Sequence, residues 1–383
     1  MRLTLLGGDM KKNNVLIMML LMLVSLPLFA SNDENSNNGF RKNPYLIFNN
    51  NPEDITILWQ TKSISESIIT ISNNGHLIDS VQVSQKTDDH LFAYNFRTDY
   101  GQKYFYTVYL GKEYFTGNFN SCPKNTSKNL DFYVYGDTRS YPENHNEVAK
   151  AICKDFGINS KNQTFIISTG DLVKHGNYEK DWDNQFFDSK YNFIVKMLAS
   201  LPYISAQGNH ERNGDIFRKY FPYNRGSKHW SFDYGPVHII LFNEYEDFSE
   251  NSIEIKWLKN DLKNTDKKWK IMVMHEPGWS AGGHSNNKEV QKIIQPICKK
   301  YDVPIVFNGH NHYYARAFVD GVYYITSGGG GAPLYDPNPN YQNVQVAKKT
   351  LHFCKVEIND NKMIVTVLDK KNKIIDKIVI KND

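Results

Sequence analysis

The sequence has little that would suit a zinc finger, a nucleotide-phosphate cradle or a nucleic-acid partner. Its four cysteines, Cys122, Cys153, Cys298 and Cys354, are widely separated and form no C-x-x-C pair, so zinc-finger spacing is absent. Four cysteines allow three disulfide pairings in an exported protein, and buried free thiols fit the spacing equally well. The glycine run Gly328–Gly331 is followed by neither a helix start nor Gly-Lys-Ser/Thr, which makes it a turn and not a phosphate cradle. An excess of one charge is also missing. With 45 basic and 41 acidic residues and no basic stripe, neither nucleic acid nor an anionic membrane is an expected partner. No internal repeat occurs.

What the chain does have is core-forming material. Its 383 residues leave room for a small accessory domain beside a larger one, and 40% hydrophobic with 14% aromatic residues predict a packed, sheet-rich protein. The apolar run from Val15 to Ala30 follows Lys11 and Lys12 and ends on a small residue, the layout of a secretory signal peptide. Residues 1–30 are therefore expected to be removed, giving a secreted or periplasmic protein that is free of the membrane. Cleavage leaves 42 basic and 40 acidic residues. Residues 31–39 read as a solvated linker.

From residue 40 to 120 the pattern is short alternating segments, among them Ile55–Trp59, Ser67–Ile71, Val81–Val83 and Tyr104–Tyr109, separated by turn residues. Such spacing predicts an all-β immunoglobulin- or fibronectin-like sandwich, with Trp59 in its core. Residues 121–128 read as a linker. From 129 to 383 apolar strands alternate with amphipathic helical stretches, including 146–156 and 288–300, and the tail from Leu351 to Ile380 is again strand-like. Trp182, Phe186 and Phe187 have helical spacing and belong in a core, as does His238 inside an apolar strand.

Polar residues of metal-ligand type follow directly after five strands: Gly136-Asp137, Gly170-Asp171, Gly208-Asn209-His210-Glu211, His275 and Gly309-His310-Asn311-His312. In α/β folds the C-terminal ends of strands converge on one crevice, so such residues can meet although they are distant in sequence. Carboxylate, amide oxygen and imidazole together suit hard or borderline divalent ions. Trp279, Tyr313 and Tyr314 flank these motifs and fit either a substrate pocket or a core.

In this order the motifs resemble those of the calcineurin-like metallophosphoesterases, and within them the purple acid phosphatases: GDxG, GDxxY, GNH(E), a strand ending in His, and GHxH. The Lys42-Asn-Pro-Tyr-Leu46 opening and Ile57-Leu-Trp59 resemble the fibronectin-like domain that often precedes them. The resemblance implies an α/β fold, a two-sheet αββα metallophosphoesterase sandwich behind the N-terminal sandwich. It also implies two divalent metal ions, zinc, manganese or iron. The first would take Asp137 and His312, the second Asn209, His275 and His310, and Asp171 would bridge both. A hydroxide held between them would attack a small-molecule phosphate ester in line with its departing alkoxide. His210 would donate to the phosphoryl group or leaving oxygen, and His284 is a candidate for the same duty.

Two positions depart from the family pattern. Lys174 stands where GDxxY has its ligating Tyr, and an ammonium has no lone pair for a metal. Arg139 stands where other branches carry an Asp-x-His ligand, and it suits either bidentate contact with phosphate or pairing with a carboxylate. His175, Asn177 or water could complete the first shell. The sequence therefore predicts a secreted phosphomonoesterase of acid-phosphatase type. A phosphodiesterase or nucleotidase with the same cage is the alternative, and a non-catalytic surface binding protein a more distant one.

Overall fold

The computed structural model describes residues 39–223 and 228–382. The expected signal peptide and the linker as far as residue 38 lie outside the described residues. Among the described residues no helix is long and apolar enough to cross a membrane.

Parity along the strands explains the layers of the larger part. In strand Asn129–Tyr135, Leu130, Phe132 and Val134 face one side while Tyr133 and Tyr135 face the other. The parallel strand Ile166–Ser168 divides in the same way, and register sets Ile166 beside both Tyr133 and Tyr203. Helix Pro142–Ile158 lays its stripe of Val148, Ile152 and Phe156 on this tyrosine face. Pro142 starts it, in a turn where no N–H is needed.

The second sheet is divided likewise. Ile239, Ile271 and Ile305 are register partners that meet Phe132 and Phe165 between the sheets, whereas Ile240, Met272 and Val306 pack with Leu258 and Leu262 of helix Ile253–Asn264 and with Ile294. The layers therefore run helix, sheet, sheet, helix, the expected αββα sandwich. One sheet has six strands, ordered Tyr203–Ser205, Ile166–Ser168, Asn129–Tyr135, His352–Asn359, Lys362–Asp369 and Ile374–Lys381. The other has seven, ordered Trp230–Tyr234, Val237–Leu241, Trp269–Val273, Ile305–Asn308, Val322–Ser327, Tyr314–Val319 and Val344–Lys348. The strand-like tail completes the first sheet by a hairpin that pairs Asn359 with Lys362.

The N-terminal strands form a three-stranded sheet (Phe40–Phe48, Asp54–Thr61, Leu91–Arg97) and a four-stranded one (His76–Ser84, Glu66–Asn73, Lys103–Leu110, Glu113–Asn120). Leu46, Ile57, Trp59 and Phe92 point toward Ile71, Tyr106 and Phe119 of the second sheet, and Trp59 stacks on Phe92 at 5.2 Å. The opposite face of the same strands, Tyr45, Ile47, Leu58 and Leu91, packs against Phe187, Tyr220 and Phe221. The three-stranded sheet is thus a middle layer, and the small region shares its core with the large one. A buried charge is fixed at this junction. The Lys42 ammonium donates to Gln60 Oε1 at 2.7 Å, pairs with Asp183 and lies 4.6 Å from the Tyr220 ring centroid. Burial pushes its pKa down to about 8 despite the Asp183 partner. All four cysteines are buried free thiols.

Candidate metal centre

Sharp turns at the strand ends bring the sequence-predicted corners together. Asp137, Asp171 and His310 all adopt left-handed backbone, at φ 56°, 57° and 69°. Such conformations are strained for non-glycine residues and persist where the surroundings impose them. Two glycines permit the close approach: a Cβ on Gly208 would collide with the Asp171 carboxylate, and one on Gly309 with that of Asp137.

Four donor atoms converge where the resemblance implies the second metal. Asn209 Oδ1 lies 3.1 Å from both His275 Nε2 and His310 Nδ1, these two nitrogens are 3.3 Å apart, and Asp171 Oδ1 is 3.4 Å from His275 Nε2. His275 Nδ1 donates to the Thr169 carbonyl at 2.7 Å, which aims Nε2 into the cluster. Asp137, Asp171 and His275 each bring a ligand atom within 4.8 Å of the others.

The electrostatics match a cation-binding pocket. Burial holds the Asp137 carboxyl above the ordinary carboxylate range. Burial acts upward on Asp171 too, but the imidazoles of His275 and His210 and the His210 N–H outweigh it and hold this carboxyl below the range. For His275 burial acts downward, and Asp171, Asp137 and Glu244 reverse it, so the imidazole is drawn well above its usual value. His310 is pushed down to about 3 by burial and by the charge on His275. A site acidic enough to draw a proton onto His275 favours a divalent ion that displaces that proton.

The first position is different. Both Asp137 oxygens lie 3.1 Å from the His310 N–H, and Oδ1 is 3.5 Å from His312 Nε2. The Arg139 guanidinium lies between Asp171 and His312, with Nε 3.3 Å from Asp171 Oδ2 and Nη2 3.2 Å from His312 Nε2. Of the two roles the sequence leaves open for Arg139, pairing with a carboxylate is present. Lys174 is exposed. His175 is tied to Asp181 at 2.8 Å, Asn177 is exposed, and Tyr178 is 57% exposed and packs edge-on against His175.

His210 and His284 both stand beside the cluster. His210 Nδ1 donates to the Lys174 carbonyl at 2.6 Å, leaving Nε2 3.8 Å from Asp171 Oδ2. The His284 ring lies 4.2 Å from that of His310, and the His284 backbone N–H donates to Asn311 Oδ1 at 2.7 Å.

Four further residues have no part in the sequence-level assignment. Glu211 accepts backbone N–H groups from Asp171, Leu172 and Gly208. Gln185 Oε1 accepts those of Ser140 and Lys174, joining the first two metal loops. Buried Glu244 accepts the Glu276 N–H beside His275. Tyr335 stacks on His312 at 4.3 Å with its hydroxyl 3.4 Å from His284 Nε2. Glu211 had a signal, its place in the Gly-Asn-His-Glu motif; the other three had none. Tyr313, Tyr314 and Trp279 are buried, as are Trp182, Phe186 and Phe187. The glycine run backs the Asp137 turn, where Gly330 N–H donates to the Gly136 carbonyl and Ala332 N–H to that of Asp137.

The calcineurin-like phosphoesterase family model matches residues 130–314. Probable purple acid phosphatase 20 of Arabidopsis thaliana is 30% identical over 211 residues, covering 45% of this chain and 48% of that protein. A purple acid phosphatase of Glycine max is 27% identical over 262 residues, covering 62% and 55% respectively. The chain spans about half the length of these curated relatives. The solved structure of a purple acid phosphatase from yellow lupin (Lupinus luteus) seeds shares the fold, with a TM-score of 0.73 at 17% identity over 89% of this chain and 74% of that one. Residues 130–314 therefore form a calcineurin-like phosphoesterase domain, and the chain is similar to the purple acid phosphatases over about half its length.

Proposed function

We propose that the protein is a secreted, metal-dependent hydrolase of small phosphate monoesters. The observation that carries this reading is the convergence of Asn209, His275 and His310 donors within 3.3 Å of one another at the strand ends, with Asp171 Oδ1 3.4 Å from His275 Nε2. Carboxylate, amide oxygen and imidazole converging in a buried cluster suit a divalent ion that displaces the proton on His275. When bound, a divalent ion supplies Lewis-acid stabilisation of phosphoryl charge and makes nucleophilic water accessible near neutral pH.

The chain's own residues position and complete that chemistry. His210, with Nδ1 committed to the Lys174 carbonyl, has Nε2 to hold or give up a proton at the leaving oxygen. Arg139 offers a fixed positive charge with planar donors to phosphoryl oxygens. His284 and Tyr335 flank the same pocket. Glu211 and Gln185 hold the loops in place before substrate arrives, so little reorganisation is left for the reaction.

The test is hydrolysis of p-nitrophenyl phosphate, its bis ester and AMP by metal-stripped protein, with and without added zinc or manganese. Metal-restored turnover that favours the p-nitrophenyl monoester is expected, and Asp171→Asn should abolish it. Preference for the bis ester or AMP would reassign the protein as a phosphodiesterase or nucleotidase. No turnover under any condition would leave a binding protein. Export is tested separately, by sequencing the mature N-terminus, expected at Ser31.

A further inference from the structure

Arg139 and the first metal position compete for the same donors. His312 Nδ1 donates to the Pro333 carbonyl at 2.8 Å, so the ring presents a lone pair at Nε2, and Arg139 Nη2 stands 3.2 Å from that atom. Arg139 Nε stands 3.3 Å from Asp171 Oδ2 as an ion pair, while Asp171 Oδ1 faces the second position. Divalent ions sit about 2.0–2.2 Å from imidazole and carboxylate donors. An ion bound to His312 Nε2 and Asp171 Oδ2 would therefore fall within the volume of the guanidinium.

Two other observations agree. The Arg139 backbone is fixed, its N–H donating to the Asp171 carbonyl at 3.3 Å, and its side chain is only 13% exposed. Lys174 stands where the resemblance has the phenolate that would complete the first shell, and it is exposed.

We propose that the centre holds one metal ion, in the cage of Asp171, Asn209, His275 and His310, and that the Arg139 guanidinium replaces the first ion of the pair the family resemblance implies. The inference rests on the metal-dependent reading above. Arg139 then fills two places: it neutralises Asp171 on the side away from the metal, and it presents its remaining donors to the phosphoryl oxygens. His312 serves as its acceptor and not as a metal ligand.

Metal stoichiometry tests this without reference to activity. Metal-stripped protein is titrated with manganese by calorimetry, and the loaded form is examined by electron paramagnetic resonance. Wild type is expected to bind one equivalent with the six-line spectrum of an isolated ion. His312→Ala should keep that equivalent with affinity within about threefold, and His275→Ala should lose it. Arg139→His, which returns a donor and removes the cation, should bind two equivalents with a spin-coupled spectrum; Arg139→Ala should also gain the second, more weakly. Two equivalents in wild type overturn the inference and leave the metal-dependent reading standing. One equivalent in wild type and in both Arg139 variants overturns the displacement by Arg139. No bound metal in wild type overturns the metal-dependent reading itself, and this inference with it.

Discussion

Glu211 holds Asp171 from a loop forty residues further along the chain: its Oε2 accepts the Asp171 N–H at 2.9 Å and the Gly208 N–H at 2.7 Å, while Oε1 accepts that of Leu172 at 2.8 Å. Three donors need two acceptor oxygens, and Glu211→Gln leaves only one. The other amide position would point an N–H at an N–H. Since supporting groups of this kind typically carry one to two orders of magnitude in metal affinity, Glu211→Gln is expected to weaken metal binding about 10- to 100-fold. Calorimetric titration measures it, with a melting curve to confirm the fold. Unchanged affinity would mean that the backbone holds the turns unaided.

Removal of the His210 side chain should separate binding from chemistry. Its imidazole stands 3.8 Å from Asp171 without entering the donor cluster, so His210→Ala is expected to retain metal but lose about 10²- to 10⁴-fold in turnover. Loss of a metal equivalent in this variant would make His210 a ligand.

Iron loading should leave the protein colourless. The resemblance ties the colour of purple acid phosphatases to a phenolate on ferric iron, and Lys174 stands in the place of that Tyr. Tyr178, the nearest in sequence, is exposed on His175. The absorption spectrum of iron-loaded protein should show no strong visible band. A purple band would bring Tyr335, which stacks on His312, into the shell.

A pH effect on stability is expected from a site away from the metal. His238 Nδ1 lies 2.8 Å from Asp233 and Nε2 2.8 Å from Asp261, so both nitrogens donate when the ring is cationic. Burial lowers the pKa, but the two carboxylates outweigh it and hold it at about 9. Because this folded value is above the unfolded one, the stabilisation is complete below about pH 6.5 and is lost as pH rises through about 9, on the order of 2 kcal/mol. Urea unfolding at pH 6.5 and 9.5 measures this, with His238→Gln expected to lose little across the window. An equal loss in both proteins would place the titration elsewhere.

The strand-end corners that meet in the cluster were legible because each follows a strand buried on both faces, which leaves an unbroken apolar run such as Ile271–Met274 ending abruptly in His275. The supporting shell was not, because Gln185 and Glu244 act on backbone N–H groups, which no side-chain pattern reveals. Arg139 could be seen to be unable to ligate, but its choice between phosphate and Asp171 depends on where His312 stands. The β-rich N-terminal region was legible from alternation in segments such as Tyr104–Tyr109. Its shared core was not, because a strand buried on both faces, like Asp54–Thr61, does not name its two neighbours. Strand Phe40–Phe48, with Pro44 inside it, and strand Val344–Lys348 gave no clear period.

The segment read as a linker, residues 121–128, is anchored at its start and exposed beyond it: Ser121 and Cys122 are buried, Pro123 lies against Gly235 and Lys267 Nζ bonds both the Asn125 and Gly235 carbonyls, while Lys124, Asn125, Thr126 and Lys128 are exposed. A protease cut there would still leave the two regions joined through their common core. Excising residues 40–120 would uncover the aromatic floor of Phe187, Tyr220 and Phe221 and strip Lys42 from Asp183. A shortened phosphoesterase unit cut from this chain should consequently be sticky in solution, and any useful minimal version has to keep the N-terminal strands as part of its own interior.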